Sequence, residues 1–301
     1  MSDKKPHSII ALGTFDGVHL GHQYLLKQVL DLAQKEQLEP IIVTFFPHPS
    51  HVLTPQNPLK LINSIDERVK RIKSLGIENV YVQSFTKKFS QITAEDFVVN
   101  TLLKKLQMKM LLIGYDHSFG KDKEGNFEYI TTLGEKYGFK VVQSNRFYHN
   151  EILINSTHIR KAINKGDFDE ANDLLGYEFS LYGKVIQGNQ LGRKIGFNTA
   201  NIALDYSNKI IPKTGVYIVK SKIGDMLYYG MMNIGYRPTV DGKSRTIEVH
   251  FFNLDQDLYY QRIKVKILYR LRDELKFNGL IELKKQLSLD KAKALDWIDK
   301  L

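Results

Sequence analysis

The sequence predicts two folded units in one chain: an α/β half built on a parallel sheet, then an antiparallel β half that forms a sheet or small barrel. Three observations carry this. The chain has 301 residues, and one domain usually takes about 100–200. In the first part, near-continuous apolar runs alternate with stretches of helical spacing, the signature of strands covered on both faces. In the second part, short alternating runs are separated by Gly, Pro, Asn and Asp clusters, the signature of hairpin-connected strands. The units are expected at 1–177 and 178–301, with the boundary near Asp173–Phe179.

In the first half, Ser8–Gly13 reads as a buried strand ending on glycine. Leu25, Leu26, Val29, Leu30 and Ala33 have helical spacing across Gln23–Gln37. Pro40–Phe46 is a second continuous strand, Ile65–Leu75 a helix and Val80–Val82 a strand. Thr93–Leu106 reads as a helix opened by a Thr-x-x-Asp start. Met110–Gly114 is a strand, Thr131–Tyr137 a helix and Lys140–Val142 a strand. In such sheets ligands bind beyond the carboxyl ends of the strands. The second half carries five expected strands: Tyr182–Val185, Val216–Ser221, Leu227–Met232, Thr246–Phe252 and Gln261–Leu268. Phe277–Leu301 returns to helical spacing through Leu280, Leu283, Leu287 and Leu295.

Composition narrows the function classes. With 43% hydrophobic and 25% charged residues the chain has the profile of a soluble globular protein. No stretch approaches the roughly 18–20 apolar residues of a membrane span, and the start lacks the pattern of a secretory signal. The absence of Cys excludes disulfides, thiolate catalysis and Cys-ligated zinc, and the expected location is the cytoplasm. The net charge of +10 is uneven: residues 1–177 hold 22 Lys/Arg against 20 Asp/Glu, and residues 178–301 hold 21 against 13. A basic half suits anionic ligands such as nucleotides. Nucleic acid is not expected as a partner, because the chain lacks an arginine-rich tail and an RNA-binding aromatic motif. The sequence names no protein partner.

Gly13-Thr14-Phe15-Asp16-Gly17-Val18-His19-Leu20-Gly21-His22 follows a strand and opens a helix. Backbone N–H groups at a helix start favour phosphate, and Gly21 allows close approach. His19 and His22 lie one turn apart and can face one ligand. In adenylyl transfer the α-phosphate of ATP gains charge on its equatorial oxygens, which two imidazole donors would stabilise. Ser156, Thr157 and Arg160 put two hydroxyls at a helix start and a cation one turn on, a pattern for the outer phosphates. Pro47-His48-Pro49 is a rigid turn able to seat a ring, and Asp116 and Phe119 offer a polar contact and a stacking face.

In the second half Gly188, Gly192 and Gly196 recur at every fourth position, with Arg193 and Lys194 between the last two. Such a loop can wrap phosphate through backbone N–H groups, although it is not a Walker A loop. Thr199 and Asn201 share a face if extended and are oxygen donors suited to Mg²⁺. Glu248 sits mid-strand in Thr246–His250, with Ile247 and Val249 on the other face. On the inner side of a small barrel it would accept a proton from an alcohol.

Taken together, Gly13–His22, Ser156–Arg160, Leu191–Asn201, Asn233–Thr239, Glu248–Tyr259 and Arg272–Asn278 resemble the bacterial bifunctional riboflavin kinase/FAD synthetases over nearly the whole chain. The resemblance implies a Rossmann-like nucleotidyltransferase domain followed by a six-stranded antiparallel barrel with a closing helix. It implies phosphorylation of riboflavin to FMN with ATP and Mg²⁺ in the barrel, and adenylylation of FMN to FAD with release of pyrophosphate in the first domain. By the same resemblance, Gly13, Phe15, His19, Gly21, His22, Ser156, Thr157 and Arg160 handle ATP in the first domain, and Pro47, His48, Asp116 and Phe119 the flavin. Gly188, Gly192, Arg193, Gly196, Thr199 and Asn201 serve Mg-ATP in the second, and Asn233, Glu248 and Arg272 its flavin, with Glu248 as base. Three positions depart from the family's usual pattern. Asn198 stands where Pro usually precedes Thr-Ala-Asn, which frees φ and adds an N–H. Phe46 replaces an acidic residue before Pro-His-Pro, and His117 replaces a Phe after Asp116. The competing readings are an enzyme with FMN adenylyltransferase activity alone and a flavin-binding regulator that contacts nucleic acid.

Overall fold

The computed structural model describes residues 6–115, 119–121, 124–188, 192–239 and 242–301. It divides into two compact units, Met1–Ser156 and Thr157–Leu301.

The first unit is a five-stranded sheet in the order β3-β2-β1-β4-β5. Its strands are β1 (Ser8–Leu12), β2 (Glu39–Phe46), β3 (Asn79–Ser84), β4 (Met108–Ile113) and β5 (Lys140–Gln143). All four pairings are parallel. The helices are α1 (Leu20–Glu36), α2 (Pro49–Leu53), α3 (Ile65–Ser74), α4 (Ala94–Phe97) and α5 (Phe127–Tyr137). The period-2 geometry of β1 explains its continuous apolar run. Ile10 and Leu12 enter one core with Val43, Phe97 and Leu133, while Ile9 and Ala11 enter the other with Leu26, Ile42 and Ile72. Between β1 and β4 the strand order reverses, which opens a crevice at their carboxyl ends.

The helix expected over Thr93–Leu106 starts as read, since Thr93 caps α4 by accepting from the Asp96 N–H at 3.0 Å. It then continues as a π-helical segment over Val98–Leu103. A small antiparallel pair, β6 (Tyr148–His149) and β7 (Ile152–Leu153), precedes Ser156.

The second unit holds α6 (Ser156–Lys165, from its second residue), α7 (Phe168–Leu175), a closed barrel and α8 (Leu280–Ile298). The barrel strands are β8 (Ser180–Ile186), β9 (Ala200–Leu204), β10 (Gly215–Ile223), β11 (Met226–Thr239), β12 (Gly242–Phe251) and β13 (Arg262–Arg272). They close in the order β10-β11-β12-β9-β8-β13. The sixth strand, β9, is the one that periodicity did not single out: it is short, half-buried and carries the Asn201 read as a metal donor. The compact division falls before the expected boundary, and α7 packs on the barrel. Phe168 lies against Phe179 and Tyr217, and Asn172 donates to the Ile267 carbonyl at 3.0 Å.

Candidate active sites

In the first unit, the turn after β1 is held from several sides. Gly13 N–H donates to the Val43 carbonyl at 3.1 Å. Phe15, Gly17 and Val18 all have positive φ, at 49°, 91° and 38°. Such backbone persists only where its surroundings over-determine it, and here they do. The Asp16 carboxylate, 1% exposed, accepts the N–H groups of Ile62 and Asn63 at 3.0 Å. The fully buried Arg68 donates to the Thr14 carbonyl at 2.6 Å and to Thr44 at 3.1 Å. The Ser156 hydroxyl donates to the Asp16 carbonyl at 2.8 Å.

This turn sets the histidine pair. His19 caps α1, its Nδ1 accepting the His22 N–H at 3.3 Å. With Nδ1 an acceptor, a neutral His19 carries its proton on Nε2, which becomes the donor. The His19 and His22 rings stack at 3.6 Å and 17°, and Phe15 supports His22 edge-on at 5.2 Å. Gly21 leaves room for this packing: a Cβ there would stand 3.3 Å from the His19 ring, which would have to shift by a few tenths of an ångström.

The other first-half residues fare differently. His48 caps α2, its Nδ1 accepting the Ser50 N–H at 3.2 Å, so Pro47-His48-Pro49 is the rigid turn expected at the end of β2. Phe119 corrects the reading as an open stacking face. Its ring is 8% exposed, packs against Phe97 at 5.9 Å and belongs to the core beneath the sheet. Asp116 and His117 lie outside the described residues. Thr157 and Arg160 fall in the second unit, on the first two turns of α6. Sequence reasoning missed Asp16 and Arg68 as determinants of the turn. Arg68 was visible as a cation four residues before Ile72 on the buried stripe of α3.

In the second unit, strand register gathers the predicted residues. Asn201 pairs with Glu248, Glu248 with Asn233, Asn233 with Val216 and Val216 with Arg272, a row across five strands. Glu248, Asn233 and Arg272 line a cavity of about 270 Å³ with Gly192 and Thr199. Its apolar wall includes Phe197, Met231, Leu283 and Leu287, the last two from α8. This corrects the expected orientation of Glu248. Ile247 and Val249 turn into the closed barrel, whereas the face of Glu248 is the one that α8 covers. A six-stranded barrel has no room inside for a helix, so Glu248 lies on the outer wall, in a pocket roofed by α8.

The glycines have particular roles. A Cβ on Gly188 would overlap the Asn201 side-chain amide, and one on Gly192 would overlap the Phe197 carbonyl. Gly196 has φ 84°, the left-handed region. The backbone of Arg193 lies in a short 3₁₀ turn, Gly192–Ile195, but its side chain is outside the described set.

Arg272 is strongly engaged. It reaches both carboxylate oxygens of Asp290 at 2.6–3.0 Å, and Asp290, on α8, is 1% exposed. Gln286 completes the shell at 2.9 Å. Asp290 and His250 are site residues that sequence reasoning missed. His250 lines the cavity two residues after Glu248, and burial holds its imidazole below the usual range. Its alternation with Glu248 was the available signal.

Thr199 and Asn201 supply a hydroxyl and an amide oxygen. Among the described residues no cluster of three His, Asp or Glu side chains could hold a metal. Oxygen donors of this kind suit a hard cation that takes its other ligands from phosphate and water.

Comparisons with known proteins return the same two chemistries on the same two halves. A family model described as FAD synthetase matches residues 1–158, and one described as riboflavin kinase matches residues 175–298. A bifunctional riboflavin kinase/FMN adenylyltransferase of Buchnera aphidicola subsp. Acyrthosiphon pisum is 38% identical over 287 residues, covering 94% of this chain and 91% of its own. The protein of that description from Bacillus subtilis is 36% identical over 306 residues, covering 100% and 96%. A solved structure described as a macrolide-efflux protein from Streptococcus pneumoniae matches with TM-score 0.88 at 33% identity, covering 98% of this chain and 95% of that one. No helix among the described residues is long and apolar enough to cross a membrane. With both halves matched and the relatives aligned along nearly their full length, this chain belongs to the bifunctional riboflavin kinase/FMN adenylyltransferase family.

Proposed function

We propose that the barrel unit phosphorylates riboflavin and that the first unit adenylylates the resulting FMN, with Glu248 and the His19–His22 pair as the central groups. The observation that carries the reading is the placement of Glu248, a carboxylate that lines an apolar-walled cavity with Thr199, Asn233 and a second acid, Glu274, and that alone of the two acids lies mid-strand, paired with Asn233. Glu248 takes the proton of the terminal ribityl hydroxyl as that oxygen attacks the γ-phosphorus of ATP, and ADP leaves. Thr199 and Asn201 would hold Mg²⁺ with the nucleotide, and the ion would neutralise charge on the phosphates. Asn233 orients the flavin, and Arg272, its charge matched and its side chain fixed by Asp290, forms part of the cavity wall.

In the first unit a phosphate oxygen of FMN attacks the α-phosphorus of a second ATP and the α–β bridge breaks, releasing pyrophosphate. No protein nucleophile is needed because the acceptor is itself a phosphate. His19 Nε2–H and His22 stabilise the charge growing on the α-phosphoryl oxygens. Ser156, tied to the turn through Asp16, attends the outer phosphates from the start of α6. The chemistry of ATP and free flavins fits a cytoplasmic enzyme.

Incubation with riboflavin and MgATP, followed by chromatography, tests the whole reading. FMN and then FAD should accumulate. Conversion of FMN to FAD without any formation of FMN from riboflavin would leave adenylyl transfer as the single activity. The barrel's intact row from Asn201 to Arg272 argues against that outcome.

A further inference from the structure

The segment that brings Thr199 to the cavity has little regular structure of its own. From Gly196 to Thr199 the chain is neither helix nor strand, and β9 begins only at Ala200. Asn198 is not a proline, so its φ is unrestrained by a ring, and it is exposed. Yet this segment must hold the Thr199 hydroxyl within hydrogen-bonding error of a nucleotide phosphate. What fixes it comes from β12. The His250 ring pairs at 2.8 Å, through Nδ1, with the Asn198 carbonyl, and packs on the Phe197 ring at 5.0 Å. Phe197 N–H in turn donates to the Gly192 carbonyl at 2.9 Å.

From this geometry we infer that His250 is a positioning residue of the kinase step, which clamps the backbone of Asn198 so that Thr199 meets Mg-ATP. The inference rests on the kinase reading of this site. A carbonyl only accepts, so the Nδ1 nitrogen is the donor, and it carries a proton in the neutral ring as well as in the cation. The contact is to the main chain, so the identity of residue 198 does not matter to it. The ring itself stays on the cavity wall, two residues along from Glu248 and on the same face.

Two replacements separate the hydrogen bond from the packing. His250→Asn keeps an N–H at the Nδ1 position but removes most of the ring. His250→Phe keeps the ring against Phe197 and removes the donor. The expected result is that His250→Phe raises KM for MgATP about three- to tenfold, the range for one neutral hydrogen bond. KM for riboflavin and kcat at saturating MgATP should change less, and His250→Asn should stay nearer the wild type in KM for MgATP. In a His250→Phe background, Asn198→Pro should lower KM again, because a fixed φ stiffens the same segment. Riboflavin binding by fluorescence quenching reports whether each variant keeps a folded barrel. The inference is overturned if His250→Phe binds riboflavin normally with unchanged KM for MgATP. It is equally overturned if His250→Asn is the more impaired of the two, since packing would then be the whole role. A wild type that makes no FMN would instead refute the kinase reading beneath it.

Discussion

At the scale of single residues, two variants test the division of chemistry. His22→Ala removes one ring of the 3.6 Å stack. It should raise the barrier to FAD formation from FMN by about 2.7–4 kcal/mol, the worth of one preorganised donor. FMN formation from riboflavin should continue, and equal loss of both activities in a folded variant would count against separate sites. Glu248→Gln keeps size and hydrogen bonding but takes no proton at neutral pH. It should cut FMN formation by roughly 10²–10⁴-fold while flavin still binds, and a wild-type rate would place the base elsewhere. The two substitutions differ in legibility. Glu248 was marked by being an acid in mid-strand, while His22 was marked only by its spacing from His19 after a strand. Of the residues that shape that turn, Arg68 was marked only by its place on the buried stripe of α3, and the partners of Asp16 and Arg68, Ile62, Asn63, Thr14 and Thr44, lie on other segments.

At the scale of elements, α8 is the decisive one. Its Leu283 and Leu287 wall the cavity that holds Glu248, and Asp290 ties it to Arg272 at the end of β13. Removing one partner of a buried ion pair leaves the other uncompensated, which costs roughly 3–5 kcal/mol. Asp290→Ala should therefore loosen α8, seen as faster amide exchange along Leu280–Ile298 and weaker riboflavin binding. Unchanged protection would mean that the apolar contacts of Ala294, Trp297 and Ile298 hold the helix without the pair. The end of β13 also carries an acid-sensitive contact. Hydrogen bonds from Lys213 and Arg270 lower the Asp273 carboxyl from 3.8 to about 2. A depressed carboxylate stabilises the fold above its unfolded value and loses that contribution as pH falls through the folded one. The small contribution of this exposed group should be intact above pH 3.8 and fade toward pH 2. Asp273→Asn should flatten that part of an acid-unfolding curve, and an unaltered curve would show that solvent screens the contact.

At the scale of the whole molecule, the chain joins two chemistries in which the product of one is the substrate of the other. Because FMN is a small soluble product, a mixture of His22→Ala and Glu248→Gln enzymes should convert riboflavin to FAD, although neither variant alone should do so efficiently. Chromatography of the mixture checks this. Accumulation of FMN with no more FAD than the His22→Ala enzyme makes alone would mean that FMN does not pass between molecules.

The sequence alone determined the alternation that makes a parallel sheet in the first unit and an antiparallel barrel in the second, because hydrophobic period is a local property of each segment. It also marked Gly13–His22, Thr199, Asn201 and Glu248, whose residue types are matched to phosphate, cation and proton transfer. The rest was decided by tertiary structure. Periodicity could not show that β9 closes the barrel, since its pairing with Glu248 and Val249 is with distant residues. Alternation separated Glu248 from Ile247 and Val249 but could not say which face was inside, because that depends on where α8 packs. Phe119 read as a stacking face and proved to be core, since exposure is set by neighbours such as Phe97 that local sequence does not name. The grip of His250 on Asn198 spans 52 residues, and only the folded chain brings the two together.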